Sequence, residues 1–291
     1  MAVCPVSVAS LRIRARPHLI TAVCAACLLV ADVGCRLPAS VRTELRYERG
    51  LVLVVPGIEG PSIWSRNIAL GLDDGGVASA IEMYDWTTGL PGALVVNLTY
   101  LERNRKQAEM LAERIAEYQD EHPQRPVHLV GHSGGAGIAI MALDALPADR
   151  QIERAIVLAP ALSPTYDLTT ALARTRFGIY NFFSSRDVGF LMVGTSLLGP
   201  IDREFGISAG AIGFRAPRDA SQEDRALYRE RLRQIRWAPR MKLAGADGSH
   251  LGWASRRFAE EYLAPIIVES EAACPLPASE TQRLRRAADA R

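Results

Sequence analysis

Two hydrophobic patterns alternate along the chain. The first is the short unbroken run, clearest at Leu51-Val52-Leu53-Val54-Val55, where no polar face is left. Such a run predicts a strand buried on both sides of a sheet. The second repeats every three or four residues: between Tyr100 and Glu121, Ala108, Leu111, Ala112, Ile115 and Tyr118 fall on one helical face, with Glu and Arg opposite and His122-Pro123 as the stop. Read this way, the chain predicts further strands at Ala80–Trp86, from Val127, at Arg154–Ala159, at Gly178–Phe183 and at Met241–Ala246. Helices are predicted at Trp64–Leu72, Ile138–Leu146, Leu168–Arg174, 221–236 and Leu251–Ala264. The helix at 221–236 is capped by Ser221, with Tyr228, Leu232 and Ile235 as its apolar side.

Strand and helix therefore take turns, which predicts an α/β fold with a mostly parallel central sheet and helices on both faces. In such sheets the chemistry gathers outside the carboxyl ends of the strands. The loop Pro56-Gly57-Ile58-Glu59-Gly60-Pro61, Ser133, Asp187 and His250 each follow a predicted strand, so one sheet edge is expected to collect them. Residues 188–239 are longer than a simple connection and glycine-rich at first, and are expected to shape the pocket. The tail 269–291 is polar and reads as disordered, leaving 36–268 as the folded domain.

The first 34 residues follow a different rule. Arg12, Arg14 and Arg16 precede an apolar run from Leu19 to Val30, and small residues lead to Gly34-Cys35. Basic, then apolar, then small is the order of a secretory signal peptide, and the run is short of the roughly 20 residues a membrane-spanning helix needs. Export to the periplasm, the membrane surface or the medium is the expectation. Gly34-Cys35 also resembles the end of a bacterial lipoprotein signal, which would make Cys35 a lipid anchor, although Asp32 stands where that pattern has an apolar residue. A Cys35–Cys274 disulfide is the alternative.

Composition changes this picture little. The formal charge of +2 vanishes once Arg12, Arg14, Arg16 and Asp32 are set aside, so nothing points to nucleic acid. The five cysteines (Cys4, Cys24, Cys27, Cys35, Cys274) all lie outside the body, which offers no thiol nucleophile and no cysteine metal site. No cofactor motif is found. Arg225, Arg229, Arg233 and Arg236 form a stripe on the predicted 221–236 helix, read as a solvated face.

The chemistry centres on Gly131-His132-Ser133-Gly134-Gly135, a G-x-S-x-G between a predicted strand and a predicted helix. A sharp turn there lifts a serine hydroxyl clear of the sheet, and flanking glycines avoid collisions with the neighbouring backbone. A serine hydroxyl becomes a competent nucleophile only beside a base. Among five histidines, His250 alone lies in a glycine-serine loop after a late predicted strand. With the chain order serine, acid, histidine, residues 50–265 resemble the α/β-hydrolase family.

By that resemblance Ser133 is the nucleophile, His250 the base and Asp187 the orienting acid, with Asp167, Asp202 and Asp247 as rivals. The resemblance also places the oxyanion donors at the N–H groups of Gly134 and Ile58. Glu59 is unexpected beside such a donor, since its charge would oppose a developing oxyanion. The function implied is that of an exported serine hydrolase acting on small-molecule or lipid esters. Acyl transfer, thioester or peptide cleavage on the same triad, or a silent binding protein of the cell envelope, are the alternatives.

Overall fold

The computed structural model describes residues 36–90, 94–187 and 207–273. The leader 1–34, Cys35, Cys274, Asp202 and the first part of the pocket segment, 188–206, lie outside the described residues. From Leu37 onward the described residues belong to one compact unit.

Among the described residues six parallel strands form a single sheet in the order β2-β1-β3-β4-β5-β6, where β1 is Leu51–Val55, β2 Ala80–Met83, β3 Val127–His132, β4 Arg154–Leu158, β5 Ile179–Phe183 and β6 Leu232–Arg236. Every residue of β1, β3 and β4 is buried, including His128 and His132 of β3 and Arg154 of β4. In register, β1 pairs Val55 with Gly131 of β3, and β3 pairs His132 with Leu158 of β4. The fold class expected, a parallel sheet between helical layers, is the one observed.

Two apolar cores cover the two faces. One packs α3 (Leu101–Glu121) and α4 (Gly134–Ala145) against Leu51, Leu53, Leu129 and Val157. The five residues read as the apolar face of α3 are all buried. The opposite face, carrying Val52, Val54, Val130 and Ile156, packs against α1 (Ile63–Asp74) and the C-terminal segment with Trp253, Phe258 and Leu263. Ser62 caps α1 through a box with Ser65. A further helix, α2 (Leu94–Thr99), was not expected from the pattern. The remaining numbered helices are α5 (Thr169–Ala173), α6 (Gln222–Arg231) and α7 (Ala264–Ala273).

Three expectations are corrected. The predicted helix 221–236 ends at Arg231 and turns straight into β6. Tyr228, Leu232 and Ile235 fit a helical stripe, but the open edge of β5 offers a row of backbone partners, and pairing from Ile179↔Leu232 to Phe183↔Arg236 overrides the local pattern. Arg233 and Arg236 therefore sit on an edge strand, apart from Arg225 and Arg229 on the helix.

The predicted strand Met241–Ala246 is instead a 3₁₀ turn at Pro239–Ala244. The sheet edge is already taken by β6, Pro239 starts the turn, and Gly245 ends it in the left-handed region at φ 87°. Met241 and Ala244 are buried while Leu243 is 77% exposed, a spacing of three rather than two.

The expected Leu251–Ala264 helix begins only at Arg256, after a 3₁₀ turn at Gly252–Ala254, and α7 runs through Ala273, past the expected boundary at Glu269. Its polar residues make specific contacts, although the Glu269 side chain stays largely exposed. Glu269 pairs with Arg154 at 2.8 Å, and Ser270 lies 3.2 Å from His128 Nε2. Glu271 accepts from the N–H groups of Ala78 and Ser79 at 3.1 and 3.0 Å and from the Ser79 hydroxyl at 2.5 Å.

Candidate active site

Ser133 stands between β3 and α4 at φ 55°, ψ −121°, a conformation costly for a residue with a side chain. The surroundings hold it there. Its N–H donates to Leu158 O at 2.9 Å, and its carbonyl accepts from Ala136 and Ala161 at 3.1 and 3.2 Å. The turn leaves no room beside it: a Cβ on Gly131 would lie 2.6 Å from Ala136 Cα, and one on Gly135 would lie 2.1 Å from the Pro56 carbonyl. The two outer glycines of the motif are thus required by close backbone approach.

The loop after β1 arrives on the other side of the serine. A Cβ on Gly134 would meet Ile58 Cγ2 at 2.8 Å, so the two residues expected as donors are neighbours in space. Gly60 N–H donates to the Gly57 carbonyl at 3.0 Å. In a trans peptide the N–H of the next residue points the opposite way, so the Ile58 N–H is directed out of that turn. Asn97 of α2 fixes the far side of Ile58, donating to its carbonyl at 2.8 Å, while the Asn97 Oδ1 accepts from Thr88 N–H at 3.1 Å. Trp86, fully buried, donates its indole N–H to the Pro56 carbonyl at 2.7 Å.

Glu59 is paired, accepting from the Ser62 hydroxyl at 3.2 Å. Its carboxylate folds back over Gly57, with Oε2 2.3 Å from where a Cβ on that glycine would stand.

His250 and Asp187 come from opposite sides of the last strand. Asp187 follows β5 in a turn closed by Asp187 N–H to Ser184 O at 3.1 Å. His250 is reached from β6 through the 3₁₀ turn, not directly from a strand as expected. Trp237, just past β6, ties this stretch down: its indole donates to Ala246 O at 2.8 Å, and the Arg186 guanidinium sits 5.0 Å over its ring. The outcome is a 2.8 Å contact between His250 Nδ1 and Asp187 Oδ2, with both side chains buried.

Burial raises the Asp187 carboxyl above the ordinary carboxylate range and holds the His250 imidazole below its ordinary value, because each charged form would lose its hydration. A neutral imidazole with its proton on Nδ1, donating to the carboxylate, leaves Nε2 as the basic nitrogen.

The two rival acids among the described residues are engaged elsewhere. Asp167 accepts from Thr169 and Tyr228, and Asp247 accepts from the N–H and hydroxyl of Ser249 at 2.9 and 2.6 Å. Two residues near the site were not singled out by the pattern. Asn97 lies on the unexpected α2, and His132, visible inside the motif, has a partner that only folding supplies. Its Nε2 lies 3.0 Å from the His250 carbonyl oxygen, and the two rings are 4.9 Å apart.

No protein-family model matches the chain, and no curated protein matches it in sequence. Among solved structures the chain is similar to lipase B of Aspergillus fumigatus, at 13% identity over 81% of this chain with a TM-score of 0.46, spanning 58% of that protein's length. It is also similar to a poly(3-hydroxybutyrate) depolymerase from Bordetella parapertussis, at 14% identity over 81% of this chain and 85% of the other with a TM-score of 0.43. A cutinase-like protein from Cryptococcus sp. aligns at 12% identity over 76% of this chain and 95% of the other, with a TM-score of 0.40.

Proposed function

We propose that the protein is a serine hydrolase that cleaves carboxylic esters through an acyl-enzyme on Ser133. The observation that carries this reading is the pairing of a strained serine at the tip of β3 with a buried His250–Asp187 contact of 2.8 Å reaching the same sheet edge. In the proposed cycle His250 Nε2 takes the proton from the Ser133 hydroxyl as Oγ attacks the ester carbonyl carbon. Negative charge builds on the carbonyl oxygen, within reach of the N–H groups of Gly134 and Ile58 and at the start of α4. The carbon–oxygen bond to the alcohol then breaks, and His250 returns the proton to the leaving alkoxide. Water, deprotonated by the same imidazole, repeats the attack; the bond from the acyl carbon to Ser133 Oγ breaks, the acid leaves, and the imidazolium returns its proton to Oγ. Asp187 holds the imidazole tautomer and offsets the charge of the imidazolium. The substrate class proposed is a small-molecule or lipid ester.

A fluorophosphonate probe tests this directly. Wild type is expected to be labelled on Ser133, and Ser133→Ala to lose both labelling and p-nitrophenyl ester hydrolysis by about six orders of magnitude. A Ser133→Ala protein that hydrolyses the ester at the wild-type rate would sink the assignment.

Export, with Cys35 as an acylated membrane anchor, is proposed from the order of residue types in the leader. Intact mass of the protein recovered from the envelope distinguishes the two fates of Cys35. A gain matching acyl chains supports the anchor, and a gain of two mass units on reduction supports the disulfide to Cys274 instead.

A further inference from the structure

Two histidines on β3 face the same side of the sheet, four residues apart, as the two-residue period of a strand dictates. Both are buried, and both meet the C-terminal part of the chain: His128 faces Ser270 of α7, and His132 faces the backbone of His250. The second contact has a defined sense. A carbonyl oxygen only accepts, so His132 must carry its proton on Nε2 and donate it to His250 O at 3.0 Å. Burial holds the imidazole at about 4, well below its ordinary value, which keeps this ring neutral under ordinary conditions.

His132 is joined to Ser133 by a single peptide bond. The loop that carries His250, by contrast, is held to the sheet through side chains such as Trp237 and has no strand of its own. We infer that His132 is a positioning residue for the catalytic base: its Nε2–H, through the His250 carbonyl, sets the distance between the imidazole of His250 and the hydroxyl of Ser133. One covalent bond and one hydrogen bond then separate nucleophile from base along the backbone, while Asp187 fixes the rotation of the imidazole from its other side. This rests on the reading of Ser133 and His250 as nucleophile and base.

The test compares His132→Gln with His132→Asn. A glutamine amide nitrogen reaches the place of imidazole Nε2, whereas an asparagine amide, one methylene shorter, does not. With p-nitrophenyl ester as substrate, H132N is expected to lose about 100-fold in kcat, with KM within about threefold of wild type, because a misplacement of about 1 Å costs that much. H132Q is expected to stay within about fivefold of wild type. Fluorophosphonate labelling rates should follow the same order, and thermal unfolding establishes that each variant is folded. If H132N does not fold, H132L, which also lacks the donor, takes its place with the same expected loss.

A folded donor-less variant with wild-type turnover overturns the inference, as does equal impairment of H132Q and H132N. In either case labelling of the wild type on Ser133 leaves the hydrolase reading standing. A wild type that the probe does not label on Ser133 overturns that reading, and this inference with it.

Discussion

His250 and Asp187 are 63 residues apart in sequence and meet at 2.8 Å, Nδ1 to Oδ2, in a site both side chains enter almost completely buried. The contact separates Asp187 from Asp247, which is only three residues from His250 but spends its carboxylate on Ser249. Asp187→Asn is expected to lower kcat for ester hydrolysis by about four orders of magnitude, since an amide holds the wrong imidazole tautomer and leaves the imidazolium unbalanced. Asp247→Asn preserves the turn to Ser249 and is expected to stay within about threefold of wild type. The reverse ranking in a simple rate assay would move the acid away from residue 187.

Asn97 grips the Ile58 carbonyl at 2.8 Å and the Thr88 N–H at 3.1 Å, and its own carbonyl accepts from the Asn104 amide at 2.8 Å. Asn97→Ala frees the loop that presents the Ile58 N–H. The expected result is a loss of about tenfold in kcat with little change in KM, and a fall of about 1–2 kcal/mol in urea-unfolding stability from the buried groups left unpaired. An unchanged kcat would show that α2 has no hold on the donor loop.

His128 is fully buried, and burial together with the Arg154 guanidinium holds its imidazole down at about 3. In the unfolded chain a histidine titrates near about 6.5. Between those two values the unfolded chain binds a proton that the folded one refuses. The contribution to stability is therefore level above the unfolded value and falls as the pH drops through this window, by about 1.4 kcal/mol per pH unit for one such group. His128→Gln is expected to remove about that much from the slope of stability against pH between about pH 6 and pH 4, measured by urea unfolding. Equal slopes in the two proteins would contradict a neutral, buried His128.

Glu271 caps the approach to β2 by accepting from Ala78 N–H, Ser79 N–H and the Ser79 hydroxyl. Glu271→Gln weakens these charge-assisted bonds and sets an amide N–H₂ against donors. A loss of about 2 kcal/mol is expected, with no change in the fluorophosphonate labelling rate of the folded protein. A variant as stable as wild type would mean that the last turns of α7 contribute nothing to the fold.

Much of the architecture is legible in the hydrophobic pattern, because a doubly covered parallel sheet writes its inner strands as short, mostly apolar runs and its flanking helices as three-and-four repeats. β1, β3, β4 and α3 follow directly from Leu51–Val55, Val127–His132, Arg154–Leu158 and Leu101–Glu121. The edge strand β6 is a different case. Leu232-Arg233-Gln234-Ile235-Arg236 is polar at most positions and carries no strand signal of its own, and it becomes a strand because β5 has a free edge. The same holds for Glu269, Ser270 and Glu271, which read as a solvated tail until Arg154, His128 and Ser79 come within reach.

For the candidate site, the division falls between type and partner. Sequence alone pointed to the sharp turn through the spacing Gly131-Ser133-Gly135, of which the Gly131 requirement is local, against Ala136, while that of Gly135 comes from Pro56 across the sheet; it also singled out His250 as the candidate base. Only the tertiary structure decided which acid faces that base, that Asn97 holds the Ile58 loop, and that His132 touches the His250 backbone. These contacts join residues 39 to 118 positions apart, and their existence depends on strand order and register. Local patterns carry propensity and sterics; distances between remote side chains arise only when the sheet sets its strands side by side.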